Sequence, residues 1–411
     1  MILSFRLRNY RSFKDLQEFS MLPDEGKNEF PENIAKINNR LALLRTAVIY
    51  GANAAGKSNL VKAFYNFRNL ILKGATLYPG DKLPPAYDPF KFSKDTDEAP
   101  VIFEIDFLLN NIPYSYTLSL SEKFILKEEL YFEPHSRKAL LFKRTKDTYT
   151  FGDSLRGKKA VVKELTASNQ LYLSNAAQNN MPQLTEIFNY FRNLLIPILP
   201  LSAIEKNYFK HIFELLESRE SPVFNEKFKA LLTGLDTGIK DFRLQRNPNG
   251  TLQVFTIHKM LDGKTNTQNN AELTLEEESL GTQRLFVLIG ILLRALQKGR
   301  TLIIDEFERS LHPRITQYFM DLFNNPTTNP HNAQLIIATH NTNFLSRDYK
   351  LRRDQIWLTE KRKDISELYA LSDIQGIRKN IPYDKWYMSG RLGAIPNISF
   401  LEPILKKDMP I

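Results

Sequence analysis

The hydrophobic residues of this chain follow two different strand patterns. VIFEIDFLL (101–109) and YSYTLSL (114–120) carry an apolar residue at every second position, which predicts antiparallel strands with one buried face. In contrast, LALLRTAVIY (41–50), TLIID (301–305) and AQLIIAT (333–339) are almost continuously apolar, which predicts strands buried on both faces. We therefore expect an α/β protein with a helix-covered parallel sheet and a separate antiparallel sheet.

Helical periodicity separates these strands. Residues 58–69 and 284–296 place apolar side chains three or four positions apart, and residues from about 160 to 235 contain further helical runs. A hairpin is predicted at about 241–259, and the polar stretch 260–276 is predicted to be a loop. These patterns indicate a helical insertion between two halves of an α/β fold.

The junction between the first buried strand and the next helix reads GANAAGKS (51–58). Its glycines, Lys57 and Ser58 fill the positions of GxxxxGK[ST], a phosphate-binding loop whose backbone N–H groups and following helix N-terminus face phosphate oxygens. We expect Lys57 to contact the β- and γ-phosphates of a nucleotide and Ser58 to hold Mg²⁺. An ordinary strand–helix turn is the alternative, which the filled motif positions disfavour.

Polar residues that suit phosphate chemistry follow two later buried strands. We expect Asp305 to bind Mg²⁺ through water and Glu306 to polarise the attacking water as general base. His340 can donate a hydrogen bond to a γ-phosphate or to that water. Ligands bind at the carboxyl ends of parallel strands, so these side chains are predicted to meet the phosphate loop. Helix-capping acids and a surface histidine are the alternatives.

A second anion site is indicated by ESLGTQ (278–283), which directly precedes a helical run. Ser279 and Gly281 lie at the predicted helix N-terminus, which attracts anions. A single chain offers no second phosphate for this site. The pattern therefore favours contact with the nucleotide bound to another subunit.

Composition limits the classes of protein. The 411 residues are 42% hydrophobic and include no cysteine, which excludes disulfides, thiolate zinc sites and a cysteine nucleophile. The apolar runs are too short to span a bilayer and the N-terminus lacks a signal-peptide core, so we expect a cytoplasmic protein without a membrane partner. The net charge of +10 suits nucleic acid, a phosphorylated ligand or an acidic protein, or is a generic basic surface.

The motifs together resemble a known family. GANAAGKS, ESLGTQ, LIIDEFERSLHP and LIIATHN, in that order, resemble the ATPase heads of the ABC superfamily, and more narrowly the SMC and OLD-type branch. YDPFKF (87–92), LYLSNAAQNN (171–180) and YMSGRLGAIPNI (387–398) resemble the AbiLii/RloA-like ATPases of bacterial phage-defence loci, often described as AAA family ATPases. The resemblance covers nearly the whole chain.

This resemblance implies a P-loop NTPase fold of the ABC-ATPase (SMC/OLD head) type with an antiparallel β-subdomain and a helical insertion. Residues 1–160 would form the N-terminal part of the head, residues 161–240 the helical insertion or arm, and residues 241–411 the C-terminal part. The segment ERSLHP (308–313) occupies the D-loop position, which in such heads touches the opposing subunit.

Roles of single residues follow from the same resemblance. Glu306, His340 and Lys57 would be catalytic, and Ser58 and Asp305 would hold the metal. Gln178 is the candidate for the glutamine that links Mg²⁺ to the insertion, with Gln170 and Gln183 as alternatives, and Arg11 resembles an arginine that SMC-like heads direct toward the nucleotide. The residues implied to bind ATP are Asn53, Gly56, Lys57, Ser58, Asn59, Ser279, Gly281 and Gln178.

The implied activity is hydrolysis of ATP, with Mg²⁺, by a homodimer or a higher oligomer of dimers that closes head-to-tail around the nucleotide. The implied role is regulation of an effector encoded by a neighbouring gene, commonly a nuclease, in antiphage defence. Two alternatives stay open: a scaffold in which turnover is incidental, and an SMC-like DNA-binding ATPase of repair or recombination. A transporter subunit is disfavoured, because the chain lacks the LSGGQ signature.

Overall fold

The computed structural model describes residues 1–25, 29–83, 85–134, 137–197, 212–217, 222–248, 250, 252–260, 270–377 and 381–396. The strands are β1 (Ile2–Arg8), β2 (Gln17–Ser20), β3 (Ile34–Lys36), β4 (Ala42–Leu44), β5 (Thr46–Gly51), β6 (Val101–Leu109), β7 (Ile112–Leu120), β8 (Ile125–Phe132), β9 (Ala139–Thr145), β10 (Thr148–Phe151), β11 (Ile239–Arg246), β12 (Leu252–Lys259), β13 (Asn270–Thr274), β14 (Thr301–Asp305), β15 (Gln334–Ala338), β16 (Ile356–Arg362) and β17 (Ile365–Ala370). The α-helices are α1 (Lys57–Lys73), α2 (Lys159–Leu165), α3 (Tyr172–Gln178), α4 (Pro182–Arg192), α5 (Pro222–Gly234), α6 (Leu280–Lys298), α7 (Pro313–Asn324) and α8 (Tyr383–Met388).

A five-stranded sheet carries the strand ends where the predicted site residues lie. Its order is β14, β15, β5, β16, β17; the first four strands are parallel and β17 is antiparallel. Along β5, Ala47 and Ile49 join a hydrophobic cluster with α1, whereas Val48 and Tyr50 join a second cluster with α6 and α7. This burial on both faces explains the continuous apolar runs and confirms the expected α/β class.

A seven-stranded antiparallel sheet lies on the other side of α1. Its order is β10, β9, β8, β7, β6, β1, β2, so the first two strands of the chain complete a sheet built mainly from residues 101–151. Phe5 stacks on Phe64 of α1 with ring centroids 4.0 Å apart, and Phe103 contacts Phe67 at 5.8 Å. Helix α1 is therefore held between two sheets, which fixes the direction of its N-terminus.

The segment 41–50 is not the single strand that its apolar run predicts. β4 pairs antiparallel with β3, whereas β5 pairs parallel with β15 and β16. The change of partner falls at Arg45, whose guanidinium donates to the Asn329 carbonyl at 3.1 Å and whose own carbonyl accepts from the Leu335 amide. Both pieces are apolar, so hydropathy does not reveal the break.

The helices predicted between about 160 and 235 are confirmed where the structure describes this region. Ser174 of α3 donates to the carbonyl of Ile71 at 2.6 Å, and Arg68 of α1 donates to the carbonyl of Phe191 in α4. Residues 198–211 and 218–221 lie outside the described residues. The division of the chain into three domains stays a prediction.

The hairpin predicted at 241–259 is confirmed as β11 and β12. The loop predicted at 260–276 is wrong for residues 270–274, which form β13 and add a third strand to the hairpin. Hydropathy does not predict this strand, because one of its faces is polar. Arg243 of β11 and Glu272 of β13 form an ion pair across the intervening strand β12, with Nη2 and Oε2 2.6 Å apart. Residues 261–269 lie outside the described residues.

Helix α6 is the one helix of the described segments that is long and apolar enough to cross a membrane by length and composition. Two-thirds of its apolar window (67%) is buried inside the fold, as in the core helix of a globular domain. Its apolar residues belong to the cluster that covers the parallel sheet.

Candidate functional site

The phosphate loop runs from the end of β5 to the start of α1, at the carboxyl edge of the parallel sheet. Gly56 has a φ of 124°, which side-chain-bearing residues rarely adopt, and a Cβ on it would lie 2.8 Å from Ser366 Oγ. A Cβ on Gly51 would collide with the backbone carbonyl of Thr359. Both glycines are therefore required by the close approach of β16 and β17 to the loop.

Lys57 is the central cation of the site and is only 5% exposed. Its ammonium donates to the Gly51 carbonyl at 2.6 Å and to the Ala52 carbonyl at 3.0 Å, so it holds the loop closed around its own side chain. Burial lowers its pKa to about 8, although the nearby carboxylates of Asp305 and Glu308 act in the opposite direction. A bound phosphate would supply the negative charge that this buried cation needs.

Ser58 and Asp305 supply the oxygen atoms that suit a hard divalent cation. Ser58 is exposed in the first turn of α1, and Asp305 ends β14, two strands away from β5. The described residues contain no cluster of three His, Cys, Asp or Glu side chains that could hold a metal. A hydroxyl and one carboxylate, completed by phosphates and water, fit Mg²⁺, which is usually bound with few protein ligands.

Glu306, the predicted general base, is held in an unusual backbone conformation. Its φ of 50° lies in the left-handed region, and its carbonyl accepts a hydrogen bond from Arg284 at 2.6 Å. The side chain is 47% exposed, and its Oε2 pairs with Arg309 at 3.2 Å. This pair engages one of the two carboxylate oxygens, and a carboxylate can accept a hydrogen bond from a reacting water as well.

His340 follows β15, the strand between those of Lys57 and Asp305. Its backbone N–H donates to Glu308 Oε1 at 2.9 Å. Partial burial, together with the positive charge of Lys57, lowers the pKa of the imidazole below its ordinary value. The ring is therefore neutral at pH 7 and can act as a neutral donor to an anion or a water.

Ser279 is the N-cap of α6. Its Oγ accepts from the Thr282 amide at 3.2 Å, and the side chain is exposed. Gly281 lies against the D-loop position, since a Cβ there would be 2.9 Å from the Ser310 carbonyl. Between them, Leu280 is 77% exposed, although it opens an otherwise buried helix. This end of α6 therefore presents a hydroxyl, backbone donors and an apolar side chain to the outside.

The remaining residues of the predicted site near the phosphate loop are Asn53, Asn59 and Arg11. Asn53 is exposed on the phosphate loop. Asn59 donates to Ser12 Oγ at 2.8 Å and accepts from Arg11 at 3.1 Å, while Arg11 also binds Asp88 at 2.7 Å. The structure thus brings Arg11 beside the first turn of α1, next to the predicted metal ligand Ser58.

Gln178 is not brought to this edge. It is exposed at the end of α3, and α3 is anchored at Ile71, fourteen residues beyond Lys57 and about 21 Å along α1 at 1.5 Å per residue. Gln170 lies at the same far end, where its amide donates to the Leu77 carbonyl. Sequence spacing does not give the direction in which a helical hairpin packs, and this explains the misplacement.

Two residues of the site carry no role in the motif-based prediction. In that prediction Glu308 is only the first residue of the D-loop segment. Its position three residues after Asp305 could have indicated a third acid at the site. Tyr50 precedes the phosphate loop, and its hydroxyl donates to the Asn341 carbonyl at 2.8 Å. An apolar strand ending in tyrosine gives no hint of this contact.

The chain is similar to a known protein family over most of its length. A family model described as "AAA domain, putative AbiEii toxin, Type IV TA system" matches residues 47–346, which include the phosphate loop, the acids and the histidine. No curated protein matches the chain. Among solved structures, the SMC head domain from Thermotoga maritima is similar with a TM-score of 0.42 and 14% identity, covering 90% of this chain and 98% of that one. An Smc head domain with an extended coiled coil, bound to the C-terminal domain of ScpA derived from Pyrococcus furiosus, is similar with the same TM-score and identity, covering 90% and 96%.

Proposed function

Because the chain belongs to the family described as AAA domain, putative AbiEii toxin, Type IV TA system, we propose that it is a Mg²⁺-dependent ATPase whose sites are completed by a second copy. The observation that carries the proposal is the placement of the buried Lys57 ammonium and of the acid loop that follows β14 at one edge of the parallel sheet, near enough for the Asp305 and Glu308 carboxylates to act on the lysine charge. Such an edge binds a triphosphate and a divalent cation together.

Binding of ATP begins with the phosphate loop. The loop N–H groups and the N-terminus of α1 receive the β-phosphate, and Lys57 turns from the Gly51 and Ala52 carbonyls to the β- and γ-phosphate oxygens. Ser58 and Asp305 would hold Mg²⁺, which neutralises charge that develops on the phosphates. Asn59 keeps Arg11 close to the same turn.

Hydrolysis requires a water in line with the γ-phosphorus. Glu306 accepts a proton from this water, whose oxygen forms a bond to phosphorus while the bond to the β–γ bridging oxygen breaks and ADP leaves. The neutral His340 ring donates to the γ-phosphate or to the water.

The second copy supplies the other side of the nucleotide. Ser279, Leu280 and Gly281 lie together at the N-terminus of α6, where Leu280 is 77% exposed and the helix N-terminus attracts anions. In a head-to-tail pair with twofold symmetry, each Ser279 hydroxyl meets the γ-phosphate bound by the other subunit's phosphate loop. The pair is then stable only while the γ-phosphate is present.

Complementation tests the composite site. Lys57→Ala removes the phosphate cation, and Ser279→Arg blocks the signature site, so each variant alone is inactive. A mixture contains mixed pairs in which one of the two sites is intact. Each mixed pair is expected to have up to about half of the activity of a parent pair. A mixture that stays inactive at every ratio contradicts sites shared between subunits.

We further place the protein in antiphage defence as an ATP-gated regulator of an effector, in the manner of the AbiLii/RloA-like ATPases. What supports this role is the resemblance of YDPFKF (87–92) and YMSGRLGAIPNI (387–398) to those proteins. The proposed effector is encoded by a neighbouring gene and acts as a nuclease. Co-expression with that gene should give an ATP-dependent complex, and Mg²⁺-dependent cleavage of nucleic acid by the chain alone would contradict this division of labour.

Nucleic acid is a second candidate ligand, because the chain carries a net charge of +10. Binding through phosphate contacts weakens steeply with salt. Titration of duplex DNA at 50 and 200 mM salt tests this candidate. No affinity at the lower salt concentration would remove it.

A further inference from the structure

Glu308 connects the two strand ends on which the proposed chemistry depends. It lies three residues after Asp305, in the loop that follows β14, and its Oε1 accepts a hydrogen bond from the backbone N–H of His340 at 2.9 Å. His340 follows the adjacent strand, β15. The Glu308 carboxylate therefore sets the distance between the acid loop and the histidine loop.

The other oxygen of this carboxylate has no partner. Oε2 of Glu308 is shielded from solvent and receives no hydrogen bond within the described residues. An unpaired and desolvated carboxylate oxygen is costly, and natural proteins keep such a group where a ligand satisfies it. Glu306 differs, because its carboxylate is half exposed and paired with Arg309.

The surroundings of Glu308 identify the missing donor. Glu308 binds the backbone N–H of His340, and β15, which His340 follows, lies between β14 and the strand that leads into the phosphate loop, so Glu308 lies at the edge where the γ-phosphate is expected. Phosphate oxygens are acceptors and cannot satisfy it, and Lys57 turns to the β- and γ-phosphate oxygens when ATP binds. The water that attacks the γ-phosphate is a donor that the proposed chemistry brings to this edge.

We propose that Glu308 is a second carboxylate of the hydrolytic site: its Oε1 fixes the His340 loop, and its Oε2 accepts a hydrogen bond from the attacking water. This inference rests on the proposed ATPase activity. Glu308 orients the water, and Glu306 takes its proton. Orientation of the water and removal of its proton are thus carried out by two different acids, whereas the motif assigns both to Glu306.

Glu308→Gln is the sharpest test. The amide oxygen preserves the acceptor for the His340 N–H, while the amide nitrogen replaces the acceptor Oε2 with a donor. We expect kcat to fall by about 10- to 100-fold, the range for loss of one transition-state contact, while ATP affinity and the melting temperature stay close to those of the parent. Glu367→Gln, on the exposed face of β17, is the matched control and keeps full kcat.

Glu308→Ala separates the two roles. Hydrogen exchange at the His340 amide should stay slow in Glu308→Gln and become fast in Glu308→Ala, and this readout does not depend on turnover. Full kcat in Glu308→Gln overturns the inference and leaves the proposed function standing. A parent protein that binds ATP but never hydrolyses it overturns the proposed function, and Glu308 then loses its assigned water as well.

Discussion

The hydroxyl of Tyr50 donates a hydrogen bond of 2.8 Å to the carbonyl of Asn341. Tyr50 immediately precedes the phosphate loop, and Asn341 immediately follows the histidine that is proposed to face the γ-phosphate. The bond therefore connects the two loops between which the nucleotide is bound. The Tyr50 ring also contacts Tyr387 of α8, with centroids 5.6 Å apart, so α8 packs on the same junction.

Tyr50→Phe should loosen the histidine loop without disturbing the core. The ring stays in place, and the loss of one buried hydrogen bond is expected to lower the free energy of unfolding by about 1 kcal/mol and to reduce kcat. Thermal melting and steady-state ATPase assays measure both effects. Tyr387→Phe is the control: its hydroxyl donates to the Ala394 carbonyl, away from the loop, so it should lower stability similarly and leave kcat unchanged.

ATP affinity should depend on pH through Lys57. Burial lowers the pKa of Lys57 to about 8 in the free protein, and bound phosphates raise it again. Lys57 is therefore charged in both states at pH 7, whereas above pH 8 binding requires the uptake of a proton. Affinity should fall by roughly tenfold from pH 7 to pH 9, as linkage requires.

Calorimetric titration at the two pH values measures this dependence. Lys57→Arg provides the control, since a guanidinium stays charged over the whole range. Its affinity is expected to be weaker but nearly independent of pH. An equally flat profile in the parent protein would show that Lys57 keeps its charge without a ligand.

Gly56→Ala should damage the phosphate loop directly. The φ of 124° is strained for alanine, and the Cβ would lie 2.8 Å from Ser366 Oγ. We therefore expect the free energy of unfolding to fall by about 1–3 kcal/mol from backbone strain. Nucleotide binding should be lost as well. Gly234→Ala is the control, since φ there is not in the left-handed region and no atom lies within 4 Å of the added Cβ. It should be neutral or slightly stabilising.

Leu280→Glu should separate pairing from folding. Leu280 is 77% exposed, so a charge there costs the isolated subunit little, but it would be buried in the proposed pair. We expect unchanged melting and ATP binding, with loss of ATP-dependent pairing and of turnover. Leu165→Glu, at a leucine of α2 that is 55% exposed, should keep both. Retained turnover in Leu280→Glu would move the interface away from this helix.

The sequence predicted the parts of the site that depend on short-range pattern. The glycines, Lys57 and Ser58 lie at the junction of β5 and α1. Asp305 ends β14 and His340 follows β15, the adjacent strand, because parallel strands align their carboxyl ends. The ATP-binding roles of these residues stay predictions. β6 and β7 were equally predictable, since each shows apolar residues at every second position.

Features that depend on long-range packing could not be predicted from the sequence. The break at Arg45 arises from a change of strand partner, and β13 is polar because it lies at a sheet edge and pairs Glu272 with Arg243. Gln178 lies far from the phosphate loop because α3 packs on the last turns of α1. The orphaned oxygen of Glu308 depends on the spacing of two loops, which no motif records.

The central claim is that each ATP is enclosed between two copies of the chain. Its most direct test is the mass of Glu306→Gln in solution with saturating ATP and Mg²⁺, measured by light scattering, since this variant should bind ATP and not hydrolyse it. We predict a dimer with ATP that returns to monomer with ADP, and no dimer when Leu280→Glu is added. A nucleotide-saturated Glu306→Gln protein that stays monomeric would contradict the account.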